Sequence, residues 1–93
     1  MYVRFHIDPR TDEPHIYGHD VAESEALEIL RTSTDRGAAR DGAMQAVGQT
    51  TQGRYLKVVY VEDADGILVV TAYDLRPREL KAFRRRKRRK HRE

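Results

Sequence analysis

From Tyr2 to Ile7 the chain alternates, with Tyr2, Arg4 and His6 on one side and Val3, Phe5 and Ile7 on the other, the period-two pattern of a half-buried strand. Asp8-Pro9-Arg10-Thr11-Asp12 ends it, since proline donates nothing to a ladder, and the polar residues through Pro14 read as an irregular connection. His15 to Gly18 leads into a helix whose N-cap is expected at Asp20, with Glu23 three residues on reaching back as in a capping box. Ala22, Ala26, Ile29 and Leu30 then fall at i, i+4, i+7 and i+8, one apolar stripe suited to packing on a sheet. Residues 32–42 hold two glycines and four charges without periodicity. They predict a mobile loop whose Arg36 and Arg40 are free to bind.

Three strands follow at hairpin spacing, over residues 43–50, 54–62 and 67–74, joined by short polar turns that each carry a glycine near the end. The unbroken apolar run Ile67-Leu68-Val69-Val70 predicts a central strand covered on both faces. Pro77 suits the first turn of a helix, and Leu80 and Phe83 can anchor that turn to the sheet. Beyond Phe83 no apolar residue remains, so the last segment either extends into solvent as a basic helix or frays. The pattern predicts an α+β domain over residues 1–83 and a basic tail over residues 84–93. Its sheet is antiparallel, of about four strands, with a helix packed after the first strand and a basic helix at the C-terminus.

At 93 residues there is material for one core only. No window approaches the roughly 18 apolar residues of a membrane span. Residues 1–7 lack the basic-then-apolar layout of a secretory leader, so the expectation is a cytoplasmic protein without membrane contact. The absence of cysteine excludes disulfides and thiolate metal sites.

Charge changes the picture more than composition does. Residues 76–93 carry 11 Lys/Arg against Glu79 and Glu93, a surplus of nine, whereas residues 1–75 carry 7 Lys/Arg against 13 Asp/Glu, a deficit of six. A block such as Arg84-Arg85-Arg86-Lys87-Arg88-Arg89-Lys90 repels itself unless a polyanion neutralises it. RNA is the expected partner, held by these seven residues with Arg76, Arg78 and Lys81 and by Arg36 and Arg40 of the loop. A solubilising tail and an acidic protein partner remain the alternatives.

His15 and His19 have the separation of a metal pair, but Gly18 interrupts the helix between them and Asp20 is needed as a cap, so no metal site is expected. Phosphate-binding Gly-rich loops and a serine nucleophile elbow are absent from the sequence, and no cofactor is expected. Cleavage of RNA by its own 2′-hydroxyl needs only a base, a cation and an acid. His19 at the entrance to the helix, Arg54 at a strand start, and Tyr73 and Arg76 at the end of another strand suit those roles. Each also has a plainer reading: His19 as a loop hydrogen bond, Arg54 as a turn contact, Tyr73 as packing.

The order of these segments resembles the BrnT-type toxins, a family within the RelE-like ribonuclease fold of bacterial toxin–antitoxin pairs. The resemblance rests on His19, Val21 and Glu25-Ala26; on Gly48 and Gly53-Arg54-Tyr55-Leu56 with Val58-Val59; and on Thr71-Ala72-Tyr73 with Glu79 and Phe83. It spans residues 14–83. Two positions depart from the family pattern: Tyr73 stands where the family has Arg, and Asp20 where it has Gly after His. The resemblance implies a metal-independent endoribonuclease with His19, Glu25 and Arg54 near the active surface, neutralised by an antitoxin encoded beside it. A non-catalytic RNA- or ribosome-binding module with the same core and basic tail is the other reading.

Overall fold

The computed structural model describes residues 2–92, the last three of them by backbone alone. In chain order they form β1 (Val3–Phe5), β2 (Ile7–Asp8), β3 (Glu13–Pro14), a 3-10 helix at His15–His19, α1 (Glu23–Thr32), β4 (Asp35–Ala38), a 3-10 turn at Arg40–Gly42, β5 (Met44–Gln49), β6 (Tyr55–Asp63), β7 (Gly66–Asp74) and α2 (Pro77–Arg92). The α+β class and the hairpin-linked strands β5, β6 and β7 match expectation. The sheet differs in number and direction: it has five strands in the order β1-β7-β6-β5-β4, and β1 runs parallel to β7. Hairpin turns dictate the antiparallel pairs, but no local turn specifies a pair such as Val3 and Ile67, 64 positions apart, so the direction of β1 had no signature in the pattern.

The junction of β1 and β7 depends on Gly66, whose φ is +124°. A Cβ there would collide with the Tyr2 carbonyl, which accepts the Ile67 N–H at 2.9 Å. Glycine therefore lets the two strands close.

One sheet face forms the main core. Ala26, Ile29 and Leu30 of α1 pack on Ala46, Leu56, Val58, Tyr60, Ile67, Val69 and Ala72, with Ile16 and Val21 closing one end. The helix begins later than the capping pattern predicts. Its N-cap is Ala22, whose N–H donates to Glu25 Oε1 at 2.9 Å, while Asp20 takes the left-handed conformation (φ 58°) and closes the preceding 3-10 helix. Asx residues tolerate that conformation, which outweighs their preference for capping here.

The expected mobile loop contains a strand and a 3-10 turn. Residues 35–38 pair with β5 as β4, and Arg36 donates to Tyr60 Oη at 3.2 Å and to the carbonyls of Leu30 and Ser33. Arg36 is thus a staple between the end of α1 and the sheet, satisfying the hydroxyl of a tyrosine only 2% exposed with one of the three N–H groups it commits here. Arg40 is exposed in the 3-10 turn between β4 and β5, at the sheet edge opposite β1.

The second face is half covered. Tyr73, Lys57, Val47 and Asp35 form one cross-strand row, and α2 lies over it. Glu79 pairs with Lys57, Arg86 Nε meets Asp35 Oδ2 at 2.7 Å, and buried Phe83 stacks edge-on against Tyr55. These anchors fall at i, i+4 and i+7, so the anchoring turn reaches one turn past Phe83, and the helix passes the expected domain boundary at residues 83 and 84 without a break. Leu68 and Val70 on this face are only half-buried, so β7 is interior to the sheet without being covered on both sides.

Candidate active site

Where the register of β6 and β7 slips between Val59 and Tyr60, Val59 opposes Thr71 and Tyr60 opposes Val69, leaving Val70 as an extra residue. The bulge re-aims β7, so Val70, Thr71 and Tyr73 all line one open cleft of about 660 Å³ on the half-covered face. Its other wall is histidine. His6 follows β1, and its carbonyl accepts the His15 N–H at 2.8 Å, which brings the 3-10 helix against the end of the first strand. The rings of His6 and His15 lie 6.1 Å apart, those of His15 and His19 5.3 Å, and those of His19 and Tyr73 6.0 Å, a continuous row ending on the sheet. Asp74 and Arg76 complete the lining. The Arg76 guanidinium lies 6.0 Å from the Tyr73 ring centre and Lys57 Nζ 5.8 Å from it, so the aromatic carries cations on the side toward α2.

Behind His15 stands Asp8, with Oδ2 3.9 Å from His15 Nδ1. Arg10, through its backbone and guanidinium N–H groups, and to a smaller degree His15, hold the Asp8 carboxyl below the usual carboxylate range.

Of the four residues expected at an active surface, His19 and Tyr73 share this cleft, while Glu25 and Arg54 do not line it. Arg54 donates from Nε to Asp74 Oδ1 (2.8 Å), from Nη2 to Asp74 Oδ2 (3.1 Å) and the His19 carbonyl (3.4 Å), and from Nη1 to the Asp20 carbonyl (2.6 Å) and Glu25 Oε1 (3.0 Å). A guanidinium has five N–H groups, and all five are committed. Arg54 therefore has no donor left for a phosphate. It clamps the turn carrying His19 to β7 and α1, and Glu25, which also accepts the Ala22 N–H, belongs to the same clamp.

The Arg54 hydrogen bonds hold the Asp74 carboxyl below its ordinary value of 3.8, against an opposing push from burial. A depressed acid stabilises the fold fully above its unfolded-state value and loses that contribution as pH falls through the folded-state value. Asp74→Asn is expected to lower stability at pH 7 by about 1 kcal/mol or less, because the Asp74 side chain is 61% exposed and solvent screens the pair. That deficit should shrink below about pH 4. Urea unfolding at pH 7 and pH 3 measures both quantities, and an equal deficit at the two would show that the charge of Asp74 is not what it contributes.

His6 and His15 are the members that a reading of spacing leaves out. The one sequence signal for them was the i, i+4 pair of His15 and His19, with His6 on the polar side of β1. Among the described residues no group of three or more His, Cys, Asp or Glu is placed to hold a metal ion. The row suits proton transfer, with rings close enough to contact one bound group from two sides.

Of the residues expected to bind RNA, Arg76, Arg78, Lys81, Arg84, Arg85, Arg86, Lys87, Arg88 and Arg89 lie at the start of α2 or along it, all exposed. Arg86 is paired with Asp35, and Arg84 lies 5.3 Å from the Tyr55 ring centre. The Lys90 side chain falls outside those described. Comparison with family models, with curated proteins and with solved structures finds no match to this chain.

Proposed function

We propose that the protein is a metal-independent endoribonuclease of the RelE-like, BrnT-type kind, cutting RNA in the histidine cleft and holding it along α2. The observation that carries this reading is the row His6, His15, His19 and Tyr73 with Arg76 at its end, in a cleft that opens beside the most basic element of the chain. His19, exposed and next to Tyr73, takes the proton of the ribose 2′-hydroxyl as that oxygen attacks phosphorus. His15, backed by Asp8, gives a proton to the 5′-oxygen as its bond to phosphorus breaks. The products are a 2′,3′-cyclic phosphate and a 5′-hydroxyl. Arg76, whose guanidinium makes no side-chain hydrogen bond among the described residues, stabilises the crowded phosphate in the place Arg54 cannot fill. The cytoplasm and a neutralising antitoxin partner belong to the same proposal, through the resemblance at residues 14–83.

The test is the pH dependence of cleavage by purified protein in EDTA. One group acting as base and one as acid give a bell-shaped dependence of rate on pH. A rate that rises steadily with pH, or vanishes in EDTA, contradicts the mechanism. A second reading, RNA binding without cleavage, is favoured by the concentration of cations on α2 outside the cleft. It becomes the account if RNA is bound and never cut.

A further inference from the structure

The cleft and the cations are not concentric. Arg76, at the cleft rim, immediately precedes Pro77, the first residue of α2, and the helix runs from there across β6 and β5 to Asp35 on β4. With Glu79, Phe83 and Arg86 turned to the sheet, Arg78, Lys81, Arg85, Arg88 and Arg89 fall at i, i+3, i+7, i+10 and i+11 on the outward side, and all are exposed. Thirteen residues from Pro77 to Arg89 rise about 20 Å, enough for about four to six phosphates of one strand.

The opposite flank of the cleft has the other sign. The β2–β3 hairpin carries Asp8, Asp12 and Glu13 against Arg10 alone, and Arg10 is bonded to Asp8. A polyanion is therefore attracted along α2 and repelled where it would leave on the hairpin side.

We infer that RNA is gripped on one side of the scissile phosphate only, as a single strand of about four to six nucleotides laid along α2 with its cut site at the end of the track. This rests on the cleavage reading for what happens in the cleft, but not for where the strand lies. The substrate class that follows is single-stranded RNA bearing a run of nucleotides on one flank of the cut, with no demand on the other flank.

Oligodeoxynucleotides with a single ribose test this with the full chain. One flank is lengthened from one to six nucleotides while the other is held at two, and then the reverse. Lengthening one flank should raise kcat/KM by about tenfold or more, with a slope that steepens as salt falls, and lengthening the other should leave it flat or lower it. Equal gains from both flanks, or from neither, overturn the inference. Binding is read separately on all-deoxy strands carrying a nitroxide at one end or the other, by the broadening of imidazole and α2 signals in NMR spectra. A label at one end should broaden His15 and His19, and a label at the other end should broaden α2. That polarity without any cleavage of the ribose-bearing strands would sink the ribonuclease proposal and leave the one-sided track standing, whereas both labels broadening both sets alike would remove the track.

Discussion

His19→Ala and His15→Ala are each expected to lower the rate of RNA cleavage by roughly 100-fold or more, the usual contribution of one positioned acid or base. The two losses should not multiply, because a proton taken and a proton given belong to one displacement, and groups acting as a unit are far from additive. Affinity for uncleaved RNA should change little, since the outward cations lie along α2. His19→Ala should also leave the fold intact: the ring is exposed, and the clamp from Arg54 reaches the His19 backbone carbonyl, not its side chain. The check is single-turnover cleavage beside a binding isotherm on a non-cleavable strand. A double variant that cuts at the parental rate would remove the histidine row from the chemistry.

Val69→Asp is expected to abolish cooperative folding. Val69 is fully buried on β7, between Phe5 of β1 and Tyr60 of β6, and its carbonyl accepts the His6 N–H. A carboxylate there finds no cation in the surrounding apolar cluster, and burying it costs several kcal/mol against a total stability of about 5 to 10 kcal/mol for a chain of this size. Because the same strand bears Thr71 and Tyr73, unfolding would also dissolve the cleft. Thermal or urea unfolding followed by circular dichroism decides it. A soluble variant with the parental midpoint would mean that β7 does not lie between β1 and β6.

What was legible in the sequence was what local chemistry dictates. The apolar stripe of α1, the turns ending in Gly53 and Gly66, and the Pro77 and Phe83 positions of α2 each declare themselves within a few residues. The parallel docking of β1 did not, because its partner is joined to it by no turn. Strand β4 did not, because Asp35-Arg36-Gly37-Ala38 has no apolar alternation and is held by an arginine side chain reaching Tyr60 across the sheet. The candidate site divides in the same way. His19 stood out by residue type and by resemblance, and Tyr73 by residue type at a position that departs from the family pattern, but Arg54 beside a turn looked equally suited to a phosphate or to a clamp. Only the positions of Asp74, Glu25 and two carbonyls show that its donors are spent. His6 and His15 join the row through an irregular hairpin and a 3-10 turn, which carry no periodicity for a sequence to display.

Cleavage of an otherwise all-deoxy strand containing one ribose, in EDTA at neutral pH with the new ends identified by mass spectrometry, asks whether the histidine cleft is a nuclease site. A single cut is expected after that ribose, leaving a 2′,3′-cyclic phosphate and a 5′-hydroxyl, with no cut when the ribose is replaced by deoxyribose. An intact ribose-bearing strand, or cutting of the all-deoxy control, would contradict that assignment.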